Sequence, residues 1–137
     1  MKFKSLVGGD KSIKKPYRYV IKWDGKSRSK FQFGVKQYLK QYWKNDIVFE
    51  EFPVVGTALT IDFYNHTRRI AVEAQGGQHE RYVSHFHGKH NRYNFLRQLK
   101  RDQRKLDFCE LNNITMVEIY YKDELCEELF SKQGVEL

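Results

Sequence analysis

Residues 59–64, Leu-Thr-Ile-Asp-Phe-Tyr, alternate in character from one position to the next, and so do residues 69–75, Arg-Ile-Ala-Val-Glu-Ala-Gln. A period of two is the mark of a β-strand, whose successive side chains point to opposite faces. Leu59, Ile61 and Phe63 fall on one face of the first strand, with Thr60, Asp62 and Tyr64 on the other. In the second, Ile70, Val72 and Ala74 form the apolar face and Glu73 lies opposite them. The polar stretch Asn65, His66, Thr67 and Arg68 reads as the hairpin turn between them. Gly76 and Gly77 stop the second strand.

The remaining elements fall around this hairpin. Residues 31–45 read as a helix, with Phe31, Val35, Leu39 and Tyr42 at helical spacing and Lys36, Lys40 and Lys44 on another face. Residues 47–54 read as a strand ending near Pro53, and Gly56 marks the turn after it. Residues 78–91 form a His-rich loop, residues 92–112 a long helix, and residues 114–121 a last strand. Residues 123–132 suit a short acidic helix with Asp123 as its N-cap. The order is helix, three strands, helix, strand, helix, an α/β chain of mixed α+β character. Residues 1–30, rich in Lys, Gly and Ser, read as a basic, partly ordered arm in front of a single domain over residues 31–137. Tyr17, Tyr19, Val20, Ile21 and Trp23 suit one short strand there, before the turn signal Asp24-Gly25.

Charge points to a partner. The 137 residues carry a net charge of +8. Residues 1–45 hold 13 basic and 2 acidic side chains, a net of +11; residues 46–137 hold 12 and 15, a net of −3. Such asymmetry suits a polyanion, nucleic acid before an anionic membrane. No apolar run reaches the roughly 18 residues of a membrane span. The N-terminal MKFKSLVGGDKS lacks the apolar core of a secretory signal, so an intracellular protein is expected. Cys109 and Cys126 make no disulfide framework.

Two features carry chemistry. With an even number of residues in the hairpin loop, Asp62 and Glu73 share a face as diagonal neighbours. Paired carboxylates repel unless a cation sits between them or one is protonated, and Mg²⁺ selects such oxygen clusters. An antiparallel sheet with one solvated polar face would also place Asp and Glu there. On the long helix, Asp102 interrupts the stripe Phe95, Leu99, Leu106 and Cys109, where a carboxylate needs a partner: Gln98, Lys105 or Arg101, or a site on the sheet below. The same helix presents Arg97, Lys100, Arg101, Arg104 and Lys105, a ridge suited to phosphates or simply a solvated face. Lys14, Lys15 and Arg18 extend the basic surface into the arm. His79, His85, His87 and His90 fit no common zinc template and have no local cysteine, so zinc is not expected. His79, six residues after Glu73, suits a general base or a hydrogen bond to a phosphate.

Asp62, followed eleven residues later by Glu73-Ala74-Gln75, resembles the carboxylate motif of the PD-(D/E)xK nuclease superfamily. The run VEAQGGQHERY (72–82), followed by RQLKRDQRKLDFCELNNITMVEIYY (97–121), resembles the phage and mobile-element homing endonucleases related to very-short-patch repair nucleases. The likeness covers roughly residues 45–121. It implies a restriction-endonuclease-like core: a central mixed sheet of about four strands flanked by helices. It implies a metal-dependent DNA endonuclease using Mg²⁺, with Mn²⁺ as an alternative, acting on double-stranded DNA, as a monomer or a dimer. Asp62 and Glu73 would be the metal ligands together with the backbone carbonyl of Ala74, and His79 and Asp102 an additional catalytic pair. The motif's lysine is here Gln75; Lys105 or His79 would have to replace its charge or its basicity. Gln78 is part of the quoted motif, and Glu50 or Glu51 is a candidate for the early glutamate some relatives use. The alternatives are a catalytically silent nucleic-acid-binding module on the same fold, for which Gln75 argues, and a structural or assembly protein using its basic arm.

Overall fold

The computed structural model describes residues 1–75 and 89–137. Along the chain come β1 (Lys2–Lys4), β2 (Asp10–Ser12), a 3-10 turn over Pro16–Tyr19, α1 (Lys30–Trp43), β3 (Val48–Pro53), β4 (Thr60–Asn65), β5 (Ile70–Gln75), α2 (Lys89–Leu111), β6 (Thr115–Tyr120) and α3 (Glu127–Ser131). The chain is α+β, with a four-stranded mixed sheet in the order β3-β4-β5-β6 and three helices. The first three strands are antiparallel, and β6 runs parallel to β5. The β5–β6 connection carries α2, as a crossover between parallel strands requires.

Both faces of the sheet are covered. One packs Val48, Phe63, Val72, Val117 and Ile119 under α1, through Val35, Leu39 and Trp43. The other packs Phe49, Phe52, Ile61, Tyr64 and Ala71 against Phe108 and Cys109 of α2 and against Phe3 and Ile13. The alternative of a solvated polar face on β4 therefore fails: Tyr64 and Asp62 are buried along with their apolar neighbours. A strand covered on both sides leaves few positions for solvated side chains.

Residues 1–30 lie on this core. β1 and β2 form an antiparallel pair whose Phe3 touches the rings of Phe52, Tyr64 and Phe108. The backbone N–H of Lys4 donates to Asn112 Oδ1 at 2.8 Å, tying the hairpin to the end of α2. Where a short strand is expected over residues 17–23, the chain makes its 3-10 turn, and Val20 contributes a single bridge to Phe49.

Helix α1 starts where Ser29 Oγ accepts the Gln32 N–H. Its buried stripe is Gln32, Val35, Lys36, Leu39 and Trp43; Val35 and Leu39 are as expected, while Phe31 and Tyr42 are only partly buried against the same core. Lys36, read on another face with Lys40 and Lys44, is fully buried, and its ammonium donates to Lys22 O, Gly25 O and Glu50 Oε1 at 2.8–3.0 Å. Those three acceptors compensate the charge that burial would otherwise penalise. Asp123 caps no helix. Its Oδ2 accepts the Tyr120 N–H at 2.7 Å, while α3 starts four residues later. Beside it, the Gln133 amide bonds both Glu118 N–H and Glu118 O, closing the edge of β6.

Candidate active site

Strands β4 and β5 pair regularly through Asn65↔Ile70, Tyr64↔Ala71 and Phe63↔Val72, and the ladder ends there. One step further the register sets Asp62 against Glu73, directly opposite and not diagonal as expected from the sequence. Instead of a ladder bond, the carboxylates fill the gap. Glu73 Oε2 accepts the Asp62 N–H at 2.8 Å, and Asp62 Oδ2 accepts the Ala74 N–H at 2.8 Å. The two acids thus sit where the strands part, 8% and 3% exposed. Burial, and then the Glu73 charge, push the Asp62 carboxyl up to about 8; the Ala74 N–H and Lys105 oppose the rise.

Lys105 of α2 supplies the local cation. Its Nζ bonds Glu73 Oε1 at 2.5 Å, with 16% of the side chain exposed. It arrives from 32 residues beyond Glu73, not from the strand position of Gln75. Gln75 itself is buried at the end of β5. Cys109, one turn beyond Lys105, has its thiol pushed up to about 12 by burial and by the nearby Glu73 charge.

Asp102 lies half-buried on α2, its Oδ1 accepting from Gln98 Nε2 at 3.1 Å, one of the partners expected. Of the apolar stripe read around it, Cys109 is buried, Phe95 and Leu106 are half-buried and Leu99 is 42% exposed, while Phe108, outside that stripe, is buried. Arg97, Lys100, Arg101 and Arg104 are all exposed on this helix, and the Arg97 guanidinium stands 5.7 Å from the Tyr93 ring centre. Lys14, Lys15 and Arg18 are exposed near the 3-10 turn, which leads into the Val20 bridge to β3. His79 and Gln78, with His85, His87 and the side chain of His90, fall outside the described residues.

Glu50 and Glu51 do not divide between the two faces. Gln32 Nε2 donates to Glu50 Oε2 and to Glu51 Oε1, both at 3.0 Å, so both carboxylates meet one amide of α1. Two residues of β6 escaped the sequence reading. In the parallel register Glu118 lies beside Glu73 and Tyr120 beside Gln75, and the Tyr120 hydroxyl donates to Glu118 Oε2 at 2.8 Å. The signal was present: Glu118 is an acid flanked by Val117 and Ile119 in an otherwise strand-like run.

The donor set of the centre is hard: two carboxylates, with the Ala74 carbonyl next in the chain. Among the described residues, no three or more His, Cys, Asp or Glu side chains stand together as a metal-binding group. Also among the described residues, no helix is long and apolar enough to cross a membrane.

Comparison with known proteins brings in viral sequences. Over 63 residues the chain is 38% identical to uncharacterized protein 307L of Invertebrate iridescent virus 6, covering 46% of this chain and 31% of that protein. Over 69 residues it is 39% identical to uncharacterized protein 094L of Frog virus 3 (isolate Goorha), 50% of this chain and 44% of that one. Uncharacterized protein 033L of Invertebrate iridescent virus 3 shares 32% over 75 residues, 55% and 38% of the two chains. The chain spans less than half the length of these relatives. No family model and no solved structure matches it.

Proposed function

We propose that this chain is a divalent-metal-dependent endonuclease that hydrolyses phosphodiester bonds in DNA, on a restriction-endonuclease-like core of the PD-(D/E)xK type. The observation that carries the reading is the buried Asp62–Glu73 pair at the parting of β4 and β5, with the Lys105 ammonium on Glu73. An ordinary structural sheet gains nothing by burying two acids in place of ladder bonds. Hard oxygen donors and an Asp62 carboxyl pushed up by burial and by the Glu73 charge fit Mg²⁺ or Mn²⁺. When bound, such an ion polarises a phosphodiester and lowers the pKa of a coordinated water.

The chain's own residues supply the rest. Asp62 and Glu73 with the Ala74 carbonyl would hold the ion. Lys105 supplies the positive charge that the superfamily motif places at the position of Gln75, and so balances the pair from the helix instead of the strand. Gln75 has an amide that can orient a water but cannot remove its proton. His79 is the base that the family resemblance suggests, with Asp102 as its companion. Arg97, Lys100, Arg101 and Arg104 form a phosphate-holding ridge whose contacts position the duplex without reading its sequence. The relatives come from viruses, which accords with a viral setting and adds no activity.

A silent DNA-binding module is the second reading. Gln75 in place of lysine favours it, as does an ammonium already resting on Glu73.

Incubating supercoiled plasmid with the protein in Mg²⁺ or Mn²⁺, with and without chelator, separates the two. The proposal expects nicked or linear product that chelator abolishes and that Asp62→Asn and Glu73→Gln do not form. Salt-sensitive binding without cleavage in either metal supports the silent module. Equal cleavage by both variants would overturn the proposed site.

A further inference from the structure

Phe49 and Phe52 are three residues apart in β3, yet their rings are 5.0 Å apart in one cluster. A regular strand sends residues three apart to opposite faces. The alternation breaks at Glu51, whose φ of 53° lies in the left-handed region, inside the strand. β4 breaks in the same place. Ile61 and Tyr64, also three apart, share the cluster of Phe49 and Phe52, while Phe63 packs on the other face. The β3–β4 ladder has partners Glu50↔Phe63 and Phe52↔Ile61, and the step between them, Glu51 with Asp62, is missing. The two irregularities are therefore one, shared across the pair of strands. Its β4 half is the residue at the centre of the candidate site.

A left-handed non-glycine residue costs of order 1–3 kcal/mol and persists only where its surroundings impose it. Here they do. The Glu51 carboxylate accepts from Gln32 Nε2 and Thr60 Oγ1, both at 3.0 Å, and pairs with Arg28. Next to it Glu50 is held by Lys36, Ser27 and Gln32. Three elements thus converge to keep one backbone residue out of its preferred region.

We propose that Glu51 is a positioning residue: its clamped left-handed backbone turns Asp62 out of the β3–β4 ladder and aims it at β5. The carboxylate of Glu51 is then a clamp on the backbone and no ligand, and the early glutamate of this chain acts through geometry. The inference rests on the reading of Asp62 and Glu73 as the metal centre. It also makes a claim about backbone conformation that holds or fails without activity.

The test compares Glu51→Gly, which accepts the left-handed conformation, with Glu51→Val, which resists it, and Glu51→Gln, which keeps the acceptor oxygen. Two quantities are read: the Mn²⁺ concentration giving half-maximal plasmid cleavage, and the Asp62 amide resonance, which reports the bond to Glu73. Glu51→Gly and Glu51→Gln are expected to stay within about threefold of wild type and to keep the Asp62 resonance, while Glu51→Val raises the metal requirement about tenfold or more and moves it. If Glu51→Val fails to fold, Glu51→Ala, which loses the clamp without adding bulk, takes its place, with the same expected direction. Equal loss of cleavage in Glu51→Gly and Glu51→Val would overturn the proposal and make the carboxylate itself a participant. An unmoved Asp62 resonance in Glu51→Val would overturn it as well. A wild-type protein that never cleaves refutes the nuclease reading alone, and the resonance still decides whether Glu51 positions Asp62.

Discussion

Asp62 titrates near 3.8 in an unfolded chain and about 8 in this fold without metal. The folded protein keeps the proton across that interval, and the unfolded chain does not. This contribution to stability is therefore complete below the lower value and is lost as pH rises through the upper one, with a limiting slope of about 1.4 kcal/mol per pH unit. In chelator, urea unfolding should show wild type losing stability from pH 5 to pH 8 relative to Asp62→Asn, whose amide keeps an acceptor for the Ala74 N–H and has no proton to lose. Parallel profiles for the two proteins would contradict the assignment. Lys105→Met removes the cation from a Glu73 carboxylate that is almost fully buried, and should cost about 3 kcal/mol at pH 7 by the same measurement. The carboxylates were legible in the sequence because an acid in an alternating strand stands out against its neighbours. Lys105 was legible only as one of two replacements for Gln75. Sequence spacing along a helix does not say which basic residue reaches a strand 32 residues away.

At the scale of elements, the succession of the central strands and helices and the hairpin between β4 and β5 followed from periodicity, while the register did not: Asp62 stands opposite Glu73 and not diagonal to it. What periodicity hid is where it stops. The reversal at Glu51 and Asp62 leaves no trace in composition, because the aromatic residues on both sides keep the run apolar. Lys36 was misplaced for a related reason: a lysine on an amphipathic helix is ordinarily solvated, and the carbonyls of Lys22 and Gly25 that receive it come from a loop. Lys36→Ala should lower stability by about 3–5 kcal/mol in urea unfolding, since it strands Glu50 and releases that loop. An effect under about 1 kcal/mol would show that the network is dispensable. Helix α2 buries Phe108 and Cys109 near its end, and Arg97, Lys100, Arg101 and Arg104 stand exposed along its middle as the basic ridge. Replacing Arg97, Lys100, Arg101 and Arg104 together by Ala should weaken binding to duplex DNA of any sequence. The slope of log affinity against log salt should flatten by about 0.9 for each phosphate that the variant no longer neutralises. An unchanged slope would place the DNA elsewhere.

For the whole molecule, the basic residues of positions 1–45, apart from the buried Lys36, are spread over a folded surface. Phe3, Ile13 and Ile21 bury themselves in the two cores, and the lysines and arginines between them stay outside. The weak apolar content of this stretch concealed three anchors spaced far apart. The −3 of residues 46–137 contains a buried acid pair in which Lys105 balances Glu73 while Asp62 keeps its proton, so a bound divalent cation would take that proton's place. That is the central claim, and Mn²⁺ titration calorimetry at pH 7 in two buffers of different ionisation heat tests it most directly. Saturable binding is expected, releasing about one proton from wild type and none from Asp62→Asn. Absence of binding, or the same proton release from both proteins, would contradict it.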